Sequence, residues 1–112
     1  VLFLVYSIDD PTSGKEKRRK TRTHHLKYVL EHKHMVRYGG SVLGSSGEMI
    51  GTLQIVEAAD RSTLDRFLEN DPYNKANLFE KIVINETRQS LPEAFPGQLD
   101  AEIVRAAEQG AS

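Results

Sequence analysis

The chain of 112 residues contains no cysteine, and that absence removes whole classes of chemistry at once. There can be no disulfide framework, no thiolate metal site and no thiol nucleophile. Charge of one sign is also missing. Fifteen lysines and arginines face 16 aspartates and glutamates, for a formal net charge of −1. Such a balance offers no overall attraction to nucleic acid or to an anionic membrane. No apolar run approaches the roughly 18 residues that a spanning helix needs. The opening "VLFLVY" has neither a basic leader nor a small-residue cleavage site, so it does not read as a signal peptide. The expectation is one soluble, cytoplasmic domain with a single core.

Residues 1–7 are almost wholly apolar, with aromatic and β-branched members, which suits a strand buried on both faces. Turn signals follow at Asp10-Pro11 and Ser13-Gly14. From Lys15 to His34 neither glycine nor proline interrupts the chain, and Leu26, Val29, Leu30 and Lys33 recur at helical spacing, predicting a helix with a polar first half. "MVRYGGSVLG" predicts a strand broken at Gly39-Gly40, "SSGE" a hairpin turn, and "MIGTLQIVEA" an alternating strand. Asp60 is placed to cap a second helix with Leu64, Phe67 and Leu68 as its buried stripe. Pro72 disfavours helical geometry at Asp71, so that helix should end near Asn70. "LFEKIVINETR" is the last strand. The order βαββαβ is that of a ferredoxin-like α+β sheet with both helices on one face. Strands apolar on both sides call for cover on the other face, most simply a homodimer packing sheet on sheet. The domain is expected over residues 1–89. Residues 90–112 form an extension with a proline-rich linker and a short, weakly amphipathic helix that frays in small residues.

The four histidines are His24, His25, His32 and His34. His25 and His32 share a helix face, but seven residues along a helix is about 10 Å, too far for one ion. No metal site is expected. His25 borders the apolar stripe, and both a satisfied boundary histidine and a reactive one fit that register. "KEKRRKTR" holds six basic residues in eight and fits a solvated helix start, with Arg22 one turn before His25 as a candidate anion clamp. "GGSVLGSSG" lacks the pattern of a P-loop or a dinucleotide fingerprint, so no cofactor is expected. Asp71 before Pro72 suits an N-cap. A capping carboxylate still has an oxygen free to accept from an imidazole.

"R-T-H-H-L", followed about 46 residues later by "D-P-Y", resembles the YCII-related (YciI-like) family. The resemblance runs from Leu2 to about Glu86 and includes "YGG", "GEMIGTLQIVEA" and "LENDPYNKANLF". It implies a dimeric α+β barrel and an active site built on a histidine–aspartate pair, here His25 and Asp71. His24 does not match the motif. Members often have proline after the glycines, where this chain has Ser41 beside the expected pocket. Asp71 would then fix the ring while His25 takes and returns a proton, with Arg22, Tyr73 and Ser41 contacting the substrate. The leading expectation is a cofactor-free isomerase or eliminating lyase acting on a small cyclic or aromatic molecule. The alternatives are a non-catalytic small-ligand-binding or dimerisation module, and an accessory that docks through its tail.

Overall fold

The computed structural model describes residues 1–110, arranged as eight elements. In order these are β1 (Leu2–Asp9), α1 (Gly14–Glu31), β2 (Val36–Leu43), β3 (Met49–Glu57), α2 (Arg61–Glu69), α3 (Pro72–Lys75), β4 (Phe79–Thr87) and α4 (Gln98–Glu108). The four strands form one sheet in the order β2-β3-β1-β4, every adjacent pair antiparallel. This is the ferredoxin-like α+β arrangement expected from the element order. No helix of the described residues is long and apolar enough to cross a membrane.

The two faces of the sheet differ because side chains alternate along each strand. On β1, Phe3, Val5, Ser7 and Asp9 point towards the helices and are buried, while Leu2, Leu4, Tyr6 and Ile8 lie half-buried on the opposite face. On β3 the inward set is Thr52, Gln54 and Val56, paired with Ser7, Val5 and Phe3. The helix-facing side is therefore apolar at one end and polar at the other. Phe3, Val5 and Val56 join Leu64, Phe67 and Leu68 of α2 in the hydrophobic core. Burial of six such side chains supplies the main drive for folding at ~25 cal/mol per Å² of apolar area. Ser7, Asp9, Thr52 and Gln54 lie instead towards α1, where the site forms.

Local chemistry sets the helix ends. Asp10 Oδ1 accepts from the backbone N–H groups of Thr12 and Ser13 at 2.8 and 2.9 Å, turning the chain into α1. Gly14 opens that helix hard against β1, since a Cβ there would lie 3.0 Å from Asp9 Cβ. Asp60 caps α2 by accepting from Thr63 N at 2.8 Å. Before Pro72, Asp71 is extended (φ −67°, ψ 128°), so α2 stops and α3 starts with proline at its first turn.

Two expectations need correction. Strand β2 is not broken at Gly39-Gly40 but pairs through both, opposite Gln54 and Leu53. The buried face of α1 is not the Leu26–Leu30 stripe, for these leucines are 49% and 66% exposed. Its buried residues are Gly14, Arg18 and His25, because the rotation of α1 is set by polar partners on β1 and before α3. The expected tail helix is α4. Gln98 ties its root down, accepting from Ala94 N at 2.6 Å and donating to the Gln89 carbonyl at 2.7 Å. The expected fray includes Ala111 and Ser112, which lie outside the described residues.

Candidate active site

Helix α1 and the turn before α3 bring His25 and Asp71 together from 46 residues apart. His25 Nδ1 lies 2.8 Å from Asp71 Oδ1 and 3.1 Å from Oδ2. A carboxylate only accepts, so Nδ1 carries a proton, and in the neutral imidazole Nε2 has the free lone pair. Asp71 Oδ1 also accepts from Tyr73 N at 2.9 Å. The sequence reading divided the two carboxylate oxygens between cap and imidazole. In the structure a single oxygen serves both and the imidazole straddles the pair. Both side chains are buried, yet His25 lines a cavity of about 310 Å³ between α1 and the β2–β3 end of the sheet.

Tyr73 departs from its expected place. It is fully buried and does not line the cavity. Its ring instead stacks on that of His25, centroids 3.9 Å apart at 11°, and so holds the imidazole plane from behind. The cause is the proline turn, which points the residue after Pro72 back under α1. Its hydroxyl is sealed without a hydrogen-bond partner among the described residues. Arg22 and Ser41 do line the cavity, at its mouth, each with a polar atom near Met49 Sδ at 3.3 and 3.4 Å. Tyr28, one turn after His25, donates to the Phe67 carbonyl at 2.7 Å and pins α1 to α2. Burial, and then the charge of Asp71, raise the pKa of that phenol. Among the other histidines His24 and His34 are solvated, whereas His32 is half-buried, with Nδ1 2.8 Å from the Tyr28 carbonyl.

Sequence reasoning missed Arg18. It belongs to the run read as a solvated helix start, yet it is only 4% exposed. Its Nε and Nη2 donate to both oxygens of Asp9 at 2.8 and 2.7 Å, and Nη2 also to Thr52 Oγ1 at 3.0 Å. Burial would lower the pKa of this guanidinium, but the hydrogen bonds and charge of Asp9 outweigh it and hold it above its ordinary value. The available signal was register. Arg18, Arg22 and His25 fall at i, i+4 and i+7, a single helix face. Arg22 and Lys33 bring positive charge to the cavity wall, the charge of Arg18 is matched by Asp9, and none of the lining residues is a carboxylate. A net charge of −1 thus conceals a locally cationic pocket. A larger groove of about 1000 Å³ lies beyond the far side of the sheet, where residues 88–94 pass Tyr38 and Ile55. Its charged pair, Arg37 with Glu57, is exposed, whereas His25 and Asp71 beside the smaller cavity are buried.

The model of the YCII-related domain matches residues 1–88. The chain belongs to the YCII-related family. Among solved structures, this family member is similar to a 5-chloro-2-hydroxyhydroquinone dehydrochlorinase, TftG, from Burkholderia phenoliruptrix, determined with 2,5-dihydroxybenzoquinone. Identity is 32%, with 80% of this chain and 96% of that one covered and a TM-score of 0.75. TftG has the dimeric α+β barrel fold, as does this YCII-related chain. The fold alone is shared with a Bacteroides thetaiotaomicron protein assigned to the antibiotic biosynthesis monooxygenases, at 14% identity, 84% and 92% coverage and a TM-score of 0.53. No curated protein sequence matches this chain.

Proposed function

We propose that this protein is a small cofactor-free eliminating lyase, in which His25 transfers a proton within an oxygen-bearing ring and a leaving group departs. One observation carries the reading: His25 lines a cavity with cationic walls and has no hydrogen-bond partner on Nε2 among the described residues, while Nδ1 is fixed on Asp71 at 2.8 Å. An imidazole so held is poised to take a proton, and the carboxylate supports the imidazolium that results. Arg22 and Lys33 favour a substrate that becomes anionic, as an ionising phenol does. The activity of TftG, 32% identical, supports a halogenated hydroxyhydroquinone as the first substrate to try.

The step balances without an oxidant. His25 removes a ring hydroxyl proton and delivers it to the carbon that bears chlorine. A second hydroxyl then loses its proton as the C–Cl bond breaks, the bonding electrons leaving on chloride. One C–H bond forms, two O–H bonds and one C–Cl bond are lost, and the ring becomes a quinone. An isomerisation would use the same proton transfers without the departure.

A second copy of the chain covers the open sheet face in this reading. Leu4, Tyr6, Leu53, Ile55 and Val83 stand on that face half-buried. Burying an apolar sheet face is the ordinary reason for such a pairing.

The test is chloride release and quinone absorbance with 5-chloro-2-hydroxyhydroquinone, for wild type and His25→Gln. Loss of about 10²- to 10⁴-fold in turnover with an unchanged circular dichroism spectrum is expected. Equal turnover in both proteins overturns the role of His25. Tight binding of the ring compound without turnover in wild type favours a binding module instead.

A further inference from the structure

The floor of the cavity holds a polar group that the proton transfer does not use. Gln54 lies on β3 facing α1 and is only 4% exposed, yet it lines the cavity. Among the described residues nothing hydrogen-bonds its carboxamide, and neither of its polar atoms is sealed off as the Tyr73 hydroxyl is. Buried amides are almost always paired, so an amide left free at a cavity wall is available to a ligand. The surroundings keep it so. Gly39 stands opposite Gln54 in the β2–β3 ladder, lines the same cavity and has no polar side chain to offer the carboxamide. Two residues earlier on the same face of β3, Thr52 has its hydroxyl engaged by Arg18 at 3.0 Å, and Arg18 is itself held by Asp9. The guanidinium is therefore committed to Asp9 and the hydroxyl to the guanidinium, while the carboxamide is not so engaged.

We infer that Gln54 is the specificity-determining residue of this cavity, reading one oxygen substituent of a polyhydroxylated ring as it changes from hydroxyl to carbonyl. A carboxamide carries both an acceptor oxygen and a donor NH₂. It accepts from the ring hydroxyl of the reduced ligand and, after a flip of the amide, donates to the carbonyl of the quinone. An arginine or lysine could do only the second, and a carboxylate only the first. A site built to hydrogen-bond a hydroxyl also rejects an analogue without it, because its own polar group is then stranded. The inference deepens the lyase reading and rests on its assignment of a ring substrate to this cavity.

Binding of 2-hydroxyhydroquinone and of its three singly deoxygenated analogues, hydroquinone, catechol and resorcinol, is measured anaerobically by calorimetry. In wild type, the analogue that lacks the oxygen read by Gln54 should bind about tenfold more weakly. Gln54→Met, similar in length but apolar, should erase that one difference and leave the other two analogues in their order. Gln54→Glu, which only accepts, should keep affinity for 2-hydroxyhydroquinone and lose about tenfold for 2-hydroxy-1,4-benzoquinone. An unchanged analogue profile in Gln54→Met, or a uniform loss for all four ligands, overturns the role of Gln54 and leaves the lyase reading intact. If wild type binds none of the ring compounds, the ring-substrate reading falls as well. Discrimination that depends on Gln54 without chloride release would keep the inference and sink the elimination.

Discussion

Asp71→Asn retains the shape of the side chain and removes its charge, so it separates orientation of the imidazole from folding. The asparagine oxygen can still accept from Tyr73 N–H, now at 2.9 Å from Oδ1. Its NH₂ then faces His25 Nδ1, where the carboxylate oxygens lie at 2.8 and 3.1 Å. An NH₂ in the Oδ2 place cannot share a bond with an Nδ1–H, which shifts the ring towards the tautomer protonated on Nε2, and no carboxylate remains to support an imidazolium. The lost stability is the difference between a charge-assisted and a neutral hydrogen bond, about 1 kcal/mol. For a domain of this size that lowers Tm by about 4–8 °C. Turnover should fall far more, about 10²- to 10⁴-fold, because a ring protonated on Nε2 cannot act as the base and the imidazolium loses its carboxylate. Proton–nitrogen correlation spectra of the imidazole ring report the tautomer directly, beside thermal melts and the chloride assay. Turnover within about threefold of wild type, with the proton still on Nδ1, would refute the reasoning. Failure to fold would instead make Asp71 a brace between α1 and the turn before α3.

Other perturbations test the supporting structure. Arg18→Met strands Asp9, whose side chain is 8% exposed, and should cost about 3–5 kcal/mol by chemical denaturation, most of it recovered when Asp9→Val is added. A cost below ~1 kcal/mol for the single variant would show that water reaches the pair. Asp60 is a pH probe, its carboxyl held below the ordinary value by the Thr63 backbone N–H, then the hydroxyls of Thr63 and Ser62. Its contribution is complete above about pH 4 and disappears as pH falls through the lower folded-state value, since the unfolded chain takes up the proton first. The stability difference between wild type and Asp60→Asn should therefore shrink in acid, and a difference independent of pH would contradict this assignment. Leu4→Glu on the open sheet face should halve the mass seen by light scattering, and a wild type already monomeric would remove the second copy from the account.

Much of the fold could be read without coordinates. Element order and the two-residue alternation of β3 were enough for the sheet, and Asp60, Asn70 and Pro72 marked the limits of α2 because capping and proline geometry act over a few residues. The His25–Asp71 pair was reached through resemblance to a family and not through periodicity. Helix α1 was misread because its apolar residues were assumed to be its buried ones. Leu26 and Leu30 face outward while Arg18 and His25 face inward. A hydropathy pattern cannot register a helix whose rotation is decided by buried charges.

Local sequence, then, was sufficient for what depends on neighbours along the chain: strands, caps, the proline turn at Asp71 and the absence of thiol chemistry. Tertiary packing was needed for whatever depends on partners distant in sequence. It sank Arg18 onto Asp9 and Thr52, laid Tyr73 under His25, and left the amide of Gln54 free beside the bare backbone of Gly39. Each of these results from two elements meeting across the sheet face, where burial removes water and only a partner of the right chemistry can replace it.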